Sequence, residues 1–153
     1  PSWRQGKFRY TARAAFSMRA RVLSTKRYWF DAASAVSPID FAVGWGPMSD
    51  QSVIDQIGWS QTQRWYRYWP KGQRFPVPAD QIVSHTANMH MIPADKKVLE
   101  VLRSVRAGDL ISLTGRLVLV ESDAGWKWMT SLSRADTGNG ACEIVWVKTL
   151  RIQ

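Results

Sequence analysis

The sequence predicts one domain of the α+β class, mainly β: a small antiparallel barrel with inserted helices, spanning residues 1–153. Three observations lead there. From Lys7 to Ser24 apolar and polar side chains alternate, the period of a strand with one face toward a core. Several further short runs rich in branched and aromatic residues are separated by Gly, Pro and Asn. The firmest helical spacing falls in one place, Pro93 to Arg106.

The first strand places Phe8, Tyr10, Phe16, Met18 and Val22 on one face and Arg9, Arg13, Arg19 and Arg21 on the other. It exceeds a typical strand, so a bend is expected. Between Asp31 and Trp59, Ser37-Pro38 reads as a helix start ended by Gly44 and Gly46, and Ser49 as the cap of a second short helix through Ile57. Gln61 to Trp69 reads as an aromatic strand, and Pro70 to Pro78 as a loop. In the Pro93 to Arg106 helix, Val98, Val101, Leu102 and Val105 share a face, and Gly108 supplies the stop. Asp109 to Glu121 reads as a strand bulged or bent at Gly115. Trp126 to Leu132 completes a hairpin with it, and Cys142 to Ile152 is the last strand. This inventory resembles that of a small barrel of the oligonucleotide- and oligosaccharide-binding (OB) type, with "GDLISLTGRLVLVE" as one of its strands.

Composition narrows the function classes. The hydrophobic fraction of 45% and charged fraction of 22% are those of an ordinary globular domain, and no apolar run approaches the roughly 18 residues of a membrane span. The single cysteine, Cys142, excludes an internal disulfide. The formal net charge is +9, and eight basic residues precede Asp31 with no acid among them. The remainder is nearly neutral, so the basicity points to an anionic surface met by one element, with Arg9, Arg13, Arg19 and Arg21 as its contacts. The plainer reading is a solvated strand face that discourages aggregation.

Residues able to carry chemistry cluster in two segments. Ser84 to Pro93 holds His85, Asn88 and His90. Five residues apart, the histidines point to opposite faces of a strand, so no regular element aims both at one metal, and no metal or cofactor is expected. Histidines bonded into a buried loop are the simpler expectation. Ser131 to Glu143 is polar and glycine-rich: Asp136 suits a turn, Arg134 could pair with it or offer a planar fork to an anion, and Cys142 reads as a small buried hydrophobe ahead of a nucleophile. For nucleic acid the relevant stretch is Arg64 to Trp69. There Arg64, Tyr66 and Tyr68 share one face and Trp65, Arg67 and Trp69 the other, with at least some of these aromatics expected in the core.

The motifs "DFAVGWGPMSD", "SHTANMHMIPAD" and "SLSRADTGNGACE" resemble those of a conserved bacterial protein family of unknown function. That resemblance implies a common design around His85, Asn88, His90, Arg134, Asp136 and Cys142, and brings no activity. It implies an envelope or periplasmic protein ahead of a cytoplasmic one, and a chain starting at Pro1 leaves room for an anchor upstream. Three functions follow as expectations. The first is a non-enzymatic, membrane-proximal binding or assembly domain with its basic strand toward an anionic surface. The second is a single-stranded nucleic-acid-binding domain, relying on Tyr66 or Tyr68. The third is a hydrolase or metal-dependent enzyme centred on His85, His90 and Asp136. No sequence feature specifies an oligomeric state.

Overall fold

The structure is a computed structural model that describes residues 1–132 and 142–153. Arg134 and Asp136 lie outside the described residues. The strands are β1 (Ser2–Gln5), β2 (Phe8–Arg27), β3 (Ile39–Gly44), β4 (Ile57–Thr62), β5 (Trp65–Pro70), β6 (Thr86–Pro93), β7 (Leu110–Ser122), β8 (Lys127–Met129) and β9 (Glu143–Ile152), with helices α1 (Gln51–Ile54), α2 (Ala79–Ser84) and α3 (Lys96–Ser104). Pairings run β2–β3–β6–β9–β7 and return to β2, every one antiparallel except β6–β9. The expected class holds: a mainly β, partly closed, OB-like barrel with inserted helices.

Alternation puts Val22, Ile39, Phe41, Val43, Met89, Met91, Ile111, Leu113, Val145 and Val147 inside the barrel, where Val98, Leu102 and Val105 of α3 join them. Asp95 starts α3 by accepting the Val98 N–H at 2.9 Å. A second core of Tyr10, Val36, Ile92, Val118, Val120 and Ile144 sits outside it, flanked by Trp3, Trp126, Trp128 and Trp146.

Two cores arise because β2 is bulged. Ala12 pairs with Val118 but Ala14 with Leu117, leaving Arg13 extra. Before the bulge Tyr10 packs into the outer core; after it Ala14, Phe16 and Met18 pack on the inner one. The even-numbered residues therefore change faces at Arg13, and the expected single stripe of four arginines is divided. Gly115 marks a second irregularity, where the β7–β9 register shifts and a Cβ would run into the Trp146 carbonyl.

Several local expectations give way to longer-range packing. Ser37-Pro38 starts no helix: Ile39, Phe41 and Val43 are wholly buried as alternate residues of β3, a strand paired on both sides. Asp50, not Ser49, caps the short α1, and Ile57 already belongs to β4. Gln61 to Trp69 is not one strand, because Gln63 and Arg64 adopt left-handed φ of 51° and 69° and turn the chain from β4 into β5. After the Pro-rich loop the chain forms α2, and Thr86 to Pro93 is a paired strand rather than a buried loop.

Candidate functional site

With Met89 and Met91 pointing into the barrel, Asn88 and His90 of β6 share its outer face with Asp40, which stands opposite His90 on β3. The β4–β5 hairpin covers this face and inserts Arg64 from its turn. Arg64 donates from Nη1 to Asp40 Oδ1 (2.7 Å), from Nε and Nη2 to the two Asp31 carboxylate oxygens (2.7 and 3.0 Å), and from Nη2 to the Ser37 carbonyl (2.8 Å). Asn88 donates from its side-chain amide to Asp40 Oδ2 at 3.2 Å and to the Arg64 backbone carbonyl at 3.1 Å, and Gln61 Nε2 donates to Asn88 Oδ1 at 2.8 Å. His90 Nδ1 lies 2.9 Å from Asp40 Oδ1, but off the line of an N–H, so this contact is electrostatic rather than an aligned hydrogen bond. Tyr28 stacks 4.0 Å below the Arg64 guanidinium and accepts its backbone N–H, and the Trp128 ring lies 4.5 Å from that of His90.

The charges of this cluster satisfy one another. Hydrogen bonding from Arg64 holds the Asp31 carboxyl below its ordinary value. Burial alone would lower the Arg64 guanidinium, but Asp31 and Asp40 outweigh it and raise it. Asp40 is wholly buried, so the Arg64 guanidinium and the Asn88 amide that donate to it are what make its burial tolerable. Cys142 borders the cluster, 3.8 Å from the Arg64 carbonyl, and burial with the nearby Asp40 and Glu143 charges pushes its thiol up to about 12. A group so far above neutrality is a thiol and a poor nucleophile.

Of the residues singled out in sequence, Arg64, Asn88, His90 and Cys142 converge here. Tyr66 packs beneath the hairpin with its hydroxyl 2.8 Å from Thr86 Oγ1, and burial pushes it up to about 12. His85 serves a different element: it ends α2, with Nδ1 2.9 Å from the Gln81 carbonyl, and packs beside Gly46. Among the described residues no three His, Cys, Asp or Glu side chains are grouped to hold a metal ion. Asp31, Asp40 and Trp128 were missed. Asp40 would have stood out as the polar member of an alternating Ile39, Phe41, Val43 run, had that run been read as a strand.

Beside the cluster opens a cavity of about 400 Å³ lined by Arg64, Trp65, His90, Lys127, Trp128, Met129 and Cys142. No protein-family model, no curated protein and no solved structure matches the chain. The site is therefore read from its geometry.

A second surface lies on the outer face of β2, β7 and β9. Register aligns Arg19 with Ser112 and Ser112 with Arg151; Ser17 with Thr114 and Thr114 with Thr149; and Ala15 with Arg116. Lys148 fills the irregularity beside Gly115. Arg19, Arg116, Lys148 and Arg151 are exposed, and none forms an ion pair with another described residue. Small side chains separate the cations, with Thr114 and Thr149 hydroxyls 2.6 Å apart, and no acid stands in these rows. The sequence-predicted arginines divide over this geometry. Arg19 belongs to the face, and Arg21 is tied to the Ser49 and Gly108 carbonyls. Arg13 reaches Met129, and Arg9 stands opposite Glu121. Arg116, Lys148 and Arg151 were missed because their rows exist only once β7 and β9 are paired.

Proposed function

We propose that the protein is a non-enzymatic binding domain that lies against an anionic, phosphate-bearing membrane surface through the outer face of β2, β7 and β9. The observation that carries this reading is the acid-free array of Arg19, Arg116, Lys148 and Arg151 on one sheet face. Side chains on three adjacent strands present charge in two dimensions, matching a layer of headgroups. Each basic residue at an anionic bilayer contributes about 1 kcal/mol, so four together contribute about 4 kcal/mol, screened within a Debye length of about 8 Å in physiological salt.

The polar cluster has a different task in this reading. It fastens the inserted hairpin to the barrel, since every polar atom of the Arg64 guanidinium named above is directed at Asp31, Asp40 or Ser37 rather than at the cavity. Sedimentation with vesicles of mixed phosphatidylglycerol and phosphatidylcholine tests the proposal. The protein is expected to pellet with them at low salt, to be released as salt rises, and to ignore vesicles of phosphatidylcholine alone. Equal binding to both compositions would contradict it.

A further inference from the structure

The outward side of the β4–β5 hairpin carries a second pattern, independent of the basic barrel face. Tyr66 and Tyr68 of β5 turn inward to pack on the barrel and on Phe75. Trp65, Arg67 and Trp69 turn outward. The two indoles remain 39% and 47% exposed, so of the aromatics in this stretch the tyrosines go to the core and the tryptophans do not. Their partners across the hairpin are small: Thr62 opposite Trp65, Ser60 opposite Arg67 and Gly58 opposite Trp69. A Cβ at Gly58 would run into the Trp69 ring, so the glycine is the bed on which that indole lies, leaving its other face to solvent. Four residues of strand separate the indoles by about 13 Å. Arg67 stands between them, exposed and without an ion pair among the described residues.

The pattern continues beyond the hairpin. Trp65 is also a wall of the 400 Å³ cavity, which it shares with Lys127 and Trp128. Lys127 is 67% exposed along its side chain and only 3.7 Å from Glu121, a loose pairing that leaves it available. Ring and cation thus alternate along β5 from Trp69 through Arg67 to Trp65, and across the cavity from Trp65 stand Lys127 and the half-buried Trp128. We infer that this line is a track for single-stranded nucleic acid, with bases stacked on the indoles and phosphates paired with Arg67 and Lys127. Unpaired bases expose π faces that a duplex hides, and alternating rings and cations suit a chain of alternating bases and charges. The Ser60 and Thr62 hydroxyls beside the track add hydrogen-bonding groups that a wedge for lipid tails would lack.

Fluorescence anisotropy with a labelled oligothymidylate of about twelve nucleotides tests the inference at low salt. Trp65→Ala and Trp69→Ala are each expected to weaken binding roughly five- to a hundred-fold. Arg67→Ala is expected to reduce the slope of log affinity against log salt by about 0.7. Trp65→Ala alone suffices if Trp69→Ala fails to fold, because Trp65 lies on no glycine. A duplex of the same length should compete poorly, and neutralising Arg19, Arg116, Lys148 and Arg151 should leave most of the affinity. No binding at low salt, equal competition by duplex, or affinity lost only with the barrel-face residues would overturn the track. The last two outcomes would leave the membrane reading standing, and failure of vesicle binding would leave the track untouched.

Discussion

Arg64 holds a left-handed backbone, φ 69°, that a side chain adopts only at a cost of about 1 kcal/mol or more. What holds it there is the bonding of its guanidinium to Asp31 and Asp40 and of its N–H to Tyr28. Asp40→Ala removes the buried centre of this arrangement, leaving Arg64 and Asn88 each short of a partner. It is expected to lower the unfolding free energy by about 3–5 kcal/mol in urea denaturation, and a loss under about 1 kcal/mol would show that the cluster does not fasten the hairpin. Asp31 adds a pH signature. Its carboxyl lies below the ordinary 3.8 in the folded protein, chiefly through the Arg64 hydrogen bond, so its stabilisation is complete above about pH 4 and is lost as pH falls through the lower folded value. Asp31→Asn should make the acid limb of a stability profile shallower, and an unchanged limb would assign acid sensitivity to other carboxyls. The Cys142 thiol, at about 12, should react with a thiol reagent at pH 8 far more slowly in the folded protein than in denaturant. Comparable rates would place it in a different environment. Sequence singled out Arg64 for its place in an arginine- and aromatic-rich stretch, Asn88 and His90 for the segment that holds both histidines, and Cys142 as the lone cysteine closing a polar, glycine-rich segment. It could not name Asp31 and Asp40, whose meaning depends on a hairpin arriving from more than twenty residues away in the chain.

Among the elements, those governed by local rules were legible: the apolar face of α3, the long β2, and β7 with its glycine irregularity, although α3 runs only from Lys96 to Ser104, ended by an extended Val105 ahead of Gly108, and not from Pro93 to Arg106. Elements governed by partners were not. A Ser-Pro pair before an apolar run is a good helix start, yet β3 is a strand because β2 and β6 flank it and its alternate residues fill the barrel. The β4–β5 turn uses Gln63 and Arg64 where Asn-Gly would be usual, so no turn signal announced it. The length of β2 announced a bend but not its place at Arg13, which decides which arginines share a face. Gly115 supplies the test at this scale. Gly115→Val pushes a side chain against the Trp146 carbonyl at the β7–β9 register shift, and a destabilisation of about 1–3 kcal/mol is expected in urea denaturation. A neutral outcome would mean that the register can slip there without loss.

Across the whole molecule, the excess charge resolves into separate surfaces. Sequence concentrated it before Asp31, but folding disperses those residues: Arg21 bonds carbonyls, Arg9 bonds the Ser2 hydroxyl, and only Arg19 of the four joins the acid-free face that Arg116, Lys148 and Arg151 complete. Charge along a chain and charge on a surface are different quantities, because pairing brings together cations that lie about one hundred and thirty positions apart, as with Arg19 and Arg151. The most direct measurement compares two variants of equal net charge for binding to phosphatidylglycerol vesicles. One replaces Arg19, Arg116, Lys148 and Arg151 with Ser; the other replaces Lys7, Lys26, Lys96 and Lys97. The barrel-face variant is expected to lose about 4 kcal/mol of binding, on the order of a thousand-fold, while the control retains most of its affinity. Equal losses in the two variants would contradict the account, since net charge rather than the β2–β7–β9 face would then carry the binding.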